Sequence, residues 1–592
     1  MLMGTAVATL PLLKPAPKAV LGKKVMNENR NIFLAIALSV GILVGYEFFF
    51  ARHPAPQAPA TTAAVPATPG AAAPGAVPGQ PAKAVQTREE ALASAPRVKI
   101  ATPSLSGSLS LQGARLDDLS LEKFHETIDP ASPKITLLTP AVGEGAYYAE
   151  FGWVPASDTK AALPDADTRW TADSDSLTPD HPVTLTWDNG QGLRFKRVYA
   201  IDDNYLFTVT QSVENSGSAP VTLFPYGLVS RWGTPKADAN SSVLHEGPIG
   251  VFGGASTETK YKNLKDDDHL IEKSATGGWV GFTDKYWLTA LIPDQKSEIK
   301  PRMSWRSVDG LDRYQTDWLG AAVTVEPGKS VSSESRLFAG AKELDKLDAY
   351  SNAINPDGLK LHLSIDFGMF WLLTIPFFHF LRFIHAHVPN FGFAIMIFTV
   401  VIKGAFFPIA NKSYHAMSKM KKLQPEMKEL QTRFADDKAR LNQEMMALYK
   451  REKANPVSGC LPILIQIPVF FALYKVLYVT IEMRQAPFYG WIHDLSVPDP
   501  TNLFNLFGLI PWTPPEMLHI GIWPLIMGVT MWAQQKLNPQ PTDPVQAKMF
   551  TFLPLIFTYM LAKFPAGLVI YWAWSNTLSI VQQWVIMKRA AK

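Results

Sequence analysis

The stretch IMIFTVVIKGAFFP, residues 395–408, decides how the rest of the sequence is interpreted. It is an apolar run long enough to belong to a membrane span, and it carries one basic residue, Lys403, well inside that run. A basic side chain near the centre of a bilayer costs about 2.5–3.5 kcal/mol on insertion scales. The sequence therefore predicts a membrane helix whose lysine has a specific environment.

Apolar stretches of similar length recur on both sides of Lys403. The run 32–50 follows Lys23, Lys24 and Arg30, and we interpret it as a retained first span; a cleaved signal peptide is the alternative, since Ala-rich sequence follows, and Met26 is an alternative start. Five further spans are predicted at 388–411, 457–482, 517–537, 548–564 and 565–587. The chain is thus predicted to cross the membrane six times.

The loops between these spans set the predicted orientation. The segment Lys412–Lys453 holds 11 basic and 6 acidic residues, whereas Glu482–Glu516 holds four acidic residues and only Arg484. Because short cytoplasmic loops carry the Lys/Arg excess, the first is placed inside and the second outside. If the uncharged run Phe367–Leu381 were a further span, every later loop would lie on the opposite side of the membrane, against this charge distribution. We therefore expect residues 358–387 to lie along the outer interface as an amphipathic helix.

The remaining parts of the chain differ strongly in composition. Alternating runs such as Val183–Trp187 and Leu193–Val198, separated by an Asn-Gly turn, predict an antiparallel β-sandwich that is acidic, with 28 basic and 38 acidic residues over 53–357. The predicted non-spanning segments are an N-terminal cytoplasmic segment at 1–31, a Pro/Ala linker at 51–87, the periplasmic β-sandwich at 88–357, a cytoplasmic helical hairpin at 412–456, a periplasmic loop at 483–516, a cytoplasmic loop at 538–547 and a cytoplasmic tail at 588–592.

The overall composition agrees with a chain made of two unlike parts. Hydrophobic residues make up 47% of the 592 residues and charged residues 18%, and the mean hydropathy is +0.02. One Cys excludes an internal disulfide framework and a Cys-based zinc site, and no phosphate-binding or catalytic motif occurs. A net charge of +4 gives no support for sequence-specific nucleic-acid binding. No catalytic residue, metal site or cofactor is predicted.

Two interpretations of Lys403 stay open at this level. No acidic residue lies within the predicted bundle, so either polar side chains line a hydrated cavity around the ammonium, or the lysine reaches the cytoplasmic headgroups by snorkelling. Lys475 and Lys563, near outer span ends, are expected to snorkel. The candidate cavity residues are Thr399, Gln466, Ser575, Asn576 and Ser579.

The predicted hairpin is rich in methionine. Its apolar residues recur at steps of three and four, with Pro425 in the first turn of an arm and Asp436 as the cap of the second. The methionines either form a pliable surface for apolar partners or pack the two arms together. They are Met417, Met420, Met427, Met445 and Met446.

Several motifs resemble the YidC/Oxa family of membrane protein insertases, and in particular its bacterial members with a large periplasmic domain. They include RQAPFYGWIHDLSVPDP at 484–500, FPAGLVIYW at 564–572 and the run LQPEMKELQTRFADDKARLNQEMMALYKREKANPVSGCLPILIQIPVFFALYKVL at 423–477. The resemblance implies a multi-pass α-helical membrane bundle with a five-helix insertase core, and a periplasmic all-β supersandwich. It also implies a hydrophilic groove open to the cytoplasm, with one positive charge that is usually arginine and is Lys403 here.

The resemblance also implies a function and partners. Tyr571 and Trp572 fall where the family has a Tyr pair along which substrate slides. The implied function is to insert and help fold membrane proteins at the bacterial inner membrane, alone or with the Sec translocon and its accessory subunits. The implied partners also include nascent membrane proteins, the ribosome and signal-recognition-particle pathway, and membrane lipids. The alternatives are a polytopic solute or ion transporter, which commonly needs paired intramembrane charges and repeats, and a membrane-anchored periplasmic carbohydrate-binding protein.

Overall fold

The computed structural model describes residues 87–141, 145–235, 244–452, 454, 461–538 and 544–591. The predicted N-terminal segment 1–31, the first span 32–50 and all but the last residue of the linker 51–87 lie outside the described residues. Within the described residues, no single helix is long and apolar enough to cross a membrane by itself; Phe391–Ala405 and Phe407–Arg433 satisfy both criteria only together, and they meet at a bend of 67°.

The first half of the described chain consists of two large β-sheets. One has 12 strands and the other nine, and every strand pair is antiparallel except the pair of β1 and β7. The strands are β1 Arg97–Ala101, β2 Leu105–Ser110, β3 Arg115–His125, β4 Lys134–Leu138, β5 Tyr147–Pro155, β6 Thr171–Ala172, β7 Ser176–Leu177, β8 Val183–Asp188, β9 Leu193–Ile201, β10 Leu206–Asn215, β11 Val221–Trp232, β12 Gly247–Phe252, β13 Ala255–Glu258, β14 Leu270–Glu272, β15 Ala275–Thr276, β16 Trp279–Thr283, β17 Trp287–Ile292, β18 Glu298–Val308, β19 Leu311–Gly320, β20 Val323–Val325 and β21 Lys329–Ala341.

The strand order places sequence-distant strands side by side in each sheet. The larger sheet runs β14-β18-β19-β11-β5-β3-β2-β1-β7, with β15, β20 and β4 added at β18, β11 and β3. The smaller sheet runs β13-β12-β16-β17-β21-β10-β9-β8-β6. Large aromatic side chains from both sheets are fully buried, among them Trp279, Phe151, Phe207, Phe282 and Phe338. The predicted all-β sandwich is thus present.

The hairpin predicted at the Asn-Gly turn is confirmed. β8 and β9 pair antiparallel, with Asp188 opposite Arg194. The side chain of Asn189 closes the connection by accepting hydrogen bonds from the backbone N–H groups of Gln191 and Leu193, and Gly190 supplies a φ of +68°. Along β9, buried residues alternate with half-buried or exposed ones, as the two-residue period of a strand requires.

Helices form the second half of the chain. The β domain itself contains two short helices, α1 Arg88–Ala93 and α2 Tyr261–Asn263. The helices that follow it are α3 Leu344–Ile354, α4 Trp371–His387, α5 Phe391–Ala405, α6 Phe407–Arg433, α7 Lys438–Arg451, α8 Leu461–Val479, α9 Ile522–Leu537, α10 Pro544–Leu561 and α11 Ala566–Ala591. Short turns of 3₁₀-helix occur at Leu361–Ser364, Ile481–Met483 and Glu516–Leu518. The helix α11 packs against α5, α6, α8 and α9 and so lies at the centre of the bundle.

Two details of the predicted hairpin are wrong. Pro425 lies in the middle of α6 and neither begins nor ends a helix. The side chain that caps α7 is Asp437, which accepts a hydrogen bond from the N–H of Arg440, and not Asp436. The reason for the second error is the register: the chain enters the helix one residue later, so only Asp437 reaches the free N–H groups of the first turn.

The segment predicted as an amphipathic helix contains α4. Its buried residues are Thr374, Phe378, Leu381 and Ile384, at helical spacing, and this stripe is where α4 contacts α5 and α8. Its exposed side is largely apolar as well, because Leu372 is 66% exposed. The helix is therefore not divided into an apolar and a polar face as predicted.

Polar contacts fix the part of the chain that leads from the last strand to the end of α4. The carboxylate of Asp366 lies 2.7 Å from Nζ of Lys475 on α8, so Lys475 has an ion-pair partner in the segment before α4. The snorkelling expected of Lys475 and Lys563 stays a prediction. Arg382 of α4 donates two hydrogen bonds of 2.6 Å to Asp345 of α3. Lys342, at the end of the β domain, is 2% exposed and donates to the carbonyl oxygen of Ser364 at 3.1 Å. Burial lowers the pKa of Lys342 to about 8.

Candidate functional site

Lys403 lies in the last turn of α5, just before the chain bends. The bend follows from Pro408, which occupies the first turn of α6: proline has no N–H to donate to the carbonyl of Gly404, and its ring clashes with that carbonyl. Phe406 therefore ends one helix and precedes the next, with φ −87° and ψ 1°. The predicted span 388–411 is thus broken at Phe406, and the lysine lies at the break.

The ammonium of Lys403 has two neutral partners on other helices. Its Nζ donates to Oγ of Ser579 on α11 at 2.8 Å and to Oε1 of Gln466 on α8 at 3.3 Å. Gln466 in turn donates through Nε2 to the hydroxyl of Tyr571. Ser579 donates to the carbonyl of Ser575 at 2.9 Å. Three helices thus meet around one positive charge through neutral hydrogen-bonding groups.

Further contacts fix α5 against α11 on either side of this point. The indole Nε1 of Trp574 donates to the carbonyl of Met396 at 3.2 Å, and Nε2 of Gln582 donates to the carbonyl of Lys403 itself at 3.4 Å. These bonds connect backbone carbonyls of one helix to side chains of the other. They hold the lysine at a fixed depth along α11.

A cavity of about 320 Å³ opens beside Lys403. One part of its lining is polar and the other is aromatic and aliphatic, and none of the described residues that line it is acidic. Its polar residues are Lys403, Tyr414, Gln466, Gln534, Gln535, Asn538, Tyr571, Ser575, Asn576, Ser579 and Gln582. A single cation surrounded by hydroxyl and amide groups is an environment that stabilises a carboxylate or a polar peptide segment.

The predicted cavity residues are brought together with one exception. Gln466, Ser575, Asn576 and Ser579 line the cavity with Lys403. Thr399 does not: it is 1% exposed, and its hydroxyl donates to the carbonyl of Ile395 in its own helix at 2.6 Å. A threonine one turn from the lysine shares its helix face, but Thr399 is buried in the packing around α5 and does not open onto the cavity.

Several lining residues are not indicated by the sequence. Tyr414 comes from α6, beyond the bend, and Gln534, Gln535 and Asn538 come from the end of α9. The adjacent glutamines at the end of a predicted span are a visible signal, since amides are costly in hydrocarbon. Which helix end faces Lys403 depends on the bundle packing, which the sequence does not display.

Tyr571 and Trp572 occupy different surroundings. Tyr571 is 2% exposed and bonded to Gln466, on the polar side of the cavity. The Trp572 ring lies between two phenylalanines, with centroids 4.7 Å from Phe470 and 5.6 Å from Phe557. The pair therefore marks the boundary between the polar lining and an aromatic wall formed by α8, α10 and α11.

The hairpin methionines divide into three groups. Met427 and Met445 are buried together with Leu448 where α6 and α7 meet, and Met420 packs against them, so these three join the arms. Met417 instead packs against Ile586 of α11. Met446 alone among the five has a largely exposed side chain, at 55%. The packing interpretation therefore holds for most of them, and Met446 is free to contact a partner.

No group of three or more His, Cys, Asp or Glu side chains that could hold a metal ion occurs within the described residues.

Comparisons with known proteins agree over most of the chain. A family described as YidC periplasmic domain matches residues 97–380, and one described as 60Kd inner membrane protein matches residues 383–592. The membrane protein insertase YidC of Methylorubrum extorquens is 50% identical over 95% of this chain and 96% of its own length. That of Beijerinckia indica subsp. indica is 51% identical, with the same coverage.

A solved structure of an active YidC insertase, with its first transmembrane domain resolved, covers 85% of this chain and 94% of its own. Its sequence identity is 17% and its TM-score 0.35, too low to add to the assignment. The sequence identity over nearly the full length of the curated relatives is decisive. The chain therefore belongs to the YidC family of membrane protein insertases.

Proposed function

We propose that this chain is an insertase, not an enzyme, which transfers newly made membrane proteins into the bacterial inner membrane and helps them fold. The cavity beside Lys403 receives the polar flank of the substrate while its apolar helix enters the lipid. The observation that carries this proposal is the bonding of Lys403: a lysine at a helix break, held only by Ser579 and Gln466 among the described residues, beside a lining without acidic residues.

The energetics of insertion explain why such a cavity helps. A segment of about 20 apolar residues gains roughly 6–12 kcal/mol on entering a bilayer, so the hydrophobic helix needs no external energy source. The obstacle is the polar flank, which must leave water to cross the hydrocarbon. A cavity with polar walls shortens the dry part of that path, and an uncompensated ammonium attracts an acidic flank at short range.

The aromatic wall supports a lateral route for the apolar part. Trp572 lies between Phe470 and Phe557, directly beside the polar residue Tyr571. Several side chains on α8 and α10 have large exposed apolar surfaces, including Leu464 at 57% and Leu555 at 67%. A substrate helix that leaves the cavity along Trp572 therefore finds exposed apolar side chains on α8 and α10.

The hairpin of α6 and α7 is the proposed entry point from the cytoplasm. Met446 presents a flexible, polarizable side chain on its surface, suited to apolar segments of varied shape. The proposed partners at this end are the ribosome and signal-recognition-particle pathway, and the Sec translocon with its accessory subunits. The excess of basic residues in 412–453 supports a cytoplasmic position.

The proposed topology has six spans, with the first at 32–50 and both chain ends in the cytoplasm. The β domain then lies in the periplasm, and α4 lies along the outer interface. The five later spans contain α5, α8, α9, α10 and α11. The acidic balance of the loop 482–516 supports its external position.

Reconstitution of the purified full chain into liposomes tests the function. A short membrane protein with an acidic flank is the substrate, and protection from added protease is the readout. We expect wild-type protein to insert it above the level of protein-free liposomes, Lys403→Ala to lower the rate at least several-fold, and Lys403→Arg to be tolerated. Lys563→Ala is the matched control, since this exposed lysine lies outside the cavity lining. Insertion no faster than in protein-free liposomes would exclude the proposed function.

A further inference from the structure

The loop 503–518, between α8 and α9, has an unusually apolar exposed surface. Leu509 is 84% exposed, and no charged residue lies between Asp499 and Glu516 in the sequence. Soluble surfaces rarely expose a continuous set of large apolar side chains, and such a set marks an interaction surface. The exposed apolar residues are Phe504, Leu506, Phe507, Leu509, Ile510, Trp512 and Met517.

The backbone holds these side chains outward. Leu506 and Phe507 both have left-handed conformations, with φ of 49° and 60°, which bulky L-residues rarely adopt. Backbone bonds fix this turn: the N–H of Phe507 donates to the carbonyl of Asn502 at 2.8 Å, and that of Ile510 donates to the carbonyl of Asn505 at 3.1 Å. The side chain of Asn505 accepts from the N–H of Gly508 at 3.0 Å. Internal hydrogen bonds therefore hold the loop in a conformation that exposes its apolar side chains.

The base of the loop is fixed to the start of α9. Asp499 is 1% exposed, and its carboxylate accepts from the N–H of Trp523 at 2.9 Å, the N–H of Thr501 at 3.0 Å and the indole of Trp491 at 3.1 Å. A Cβ on Gly521 would lie 2.6 Å from the same carboxylate carbon, so the chain passes close by. The loop therefore has a defined position relative to the helix that follows it.

The exterior of α9 continues this apolar surface. Val529 is 63% exposed and Trp532 51% exposed, and these residues belong to the domain that matches the inner membrane protein family. Large exposed apolar side chains thus occur both on the loop and on the helix that follows it. No Lys or Arg occurs from 485 to 535, so the surface has no means of binding an anionic partner by charge.

We propose that the loop 503–518 inserts shallowly into the lipid bilayer and anchors the outer end of the bundle at the boundary between headgroups and acyl chains. Trp512 is suited to that boundary, because an indole has an apolar body and a polar N–H. Burial of uncharged apolar side chains drives the contact, so anionic lipids and salt should not affect it. A protein partner is the competing occupant of the same surface.

A fluorescent label at Leu509 distinguishes lipid from protein. The single cysteine, Cys460, is replaced by Ser in the full chain, and Leu509→Cys is labelled with an environment-sensitive fluorophore; its high exposure makes the substitution harmless to folding. The protein is reconstituted alone, without substrate, in phosphatidylcholine vesicles with and without doxyl-labelled lipid. Ser330→Cys, an exposed position in β21 of the β domain, is the matched control.

We expect the label at 509 to have blue-shifted emission and to be quenched by doxyl groups placed near the headgroups, with no change on adding anionic lipid or salt. The label at 330 should show neither effect. Emission at 509 typical of water, with no quenching by doxyl lipid, would overturn the proposal and leave a protein as the occupant. Blue-shifted emission that doxyl lipid does not quench would overturn it equally, since the label would then be buried in protein.

Discussion

The Nζ of Lys403 lies 2.8 Å from Oγ of Ser579, although 176 residues separate them in the sequence. This bond joins the broken helix α5 to the central helix α11. Because the hydroxyl of Ser579 also donates to the carbonyl of Ser575, its oxygen is oriented to accept from the ammonium. The position of the only cation among the described residues of the cavity lining thus depends on a neutral side chain.

Replacing Ser579 with Ala should destabilise the bundle. The variant removes an acceptor from a largely buried ammonium, and a hydrogen bond to a charged group contributes about 1.5–3 kcal/mol. We expect a lower unfolding temperature of the full chain in detergent, together with slower insertion of acidic-flanked substrates. Thr577→Val on the same helix is the control, because the Thr577 hydroxyl donates to the carbonyl of Ala573 in its own helix and Thr577 is absent from the described cavity lining. Equal unfolding temperatures of the two variants would contradict this account of Lys403.

The pair of Asp366 and Lys475 should hold the segment between the β domain and α4 against α8. Both side chains are partly shielded, 29% and 15% exposed, so Asp366→Asn should cost about 1–3 kcal/mol. Faster hydrogen exchange in the segment 359–368, measured by mass spectrometry, is the expected result. Asp345→Asn removes the pair with Arg382, in which Asp345 is 61% exposed, and should change exchange less because solvent screens that pair. The reverse ranking would show that Asp366 does not tie the two parts together.

Lys342 should make stability depend on pH. Its pKa in the fold is about 8, below its ordinary value of 10.5, because burial disfavours the charged form. The unfolded chain therefore binds the proton first as pH falls, so the stability of the wild type relative to Lys342→Met should fall between pH 10.5 and pH 8 and level off below pH 8. The measurement is the unfolding temperature of both proteins across this range. Lys346→Met, at a half-buried lysine paired with Glu343, is the control; the same pH slope in both variants would rule out Lys342 as the source.

The cap of α7 gives a test at single-residue resolution. Asp437→Ala removes the acceptor for the N–H of Arg440 and should destabilise the hairpin by about 1 kcal/mol, whereas Asp436→Ala should have little effect. Limited proteolysis of the full chain within 438–451 measures the difference. If both variants are cleaved at the wild-type rate, the cap at Asp437 does not stabilise the hairpin.

Local patterns in the sequence predicted local structure well. The hairpin of β8 and β9 follows from alternation and an Asn-Gly turn, both of which act over a few residues. The cap of α7 was predicted one residue early, because Asp436 and Asp437 are chemically equivalent and only the entry angle of the chain selects between them. The sequence contains Pro408, but the apolar run continues past it, so the bend at Phe406 was not predicted.

Contacts over long sequence distances could not be predicted in this way. Asp366 lies 109 residues from Lys475, and neither segment contains a pattern that identifies the other as its partner. Tyr414 and Gln534 line the cavity only because α6 begins, and α9 ends, beside Lys403. Gln466 and Asn576 could be predicted as cavity residues because an amide side chain is unusual within an apolar run. Thr399 is also a polar residue within an apolar run, but the prediction that it lines the cavity is wrong because its hydroxyl bonds within its own helix.

The dependence of insertion on the charge of the substrate flank tests the role of Lys403 most directly. Three versions of one short membrane protein, with acidic, neutral or basic flanks, are inserted into liposomes by wild-type protein and by Lys403→Gln, which keeps a polar group but removes the charge. We predict that the wild type inserts the acidic version fastest and that Lys403→Gln abolishes this preference. An unchanged preference for the acidic flank in Lys403→Gln would contradict the claim that the buried ammonium attracts the substrate.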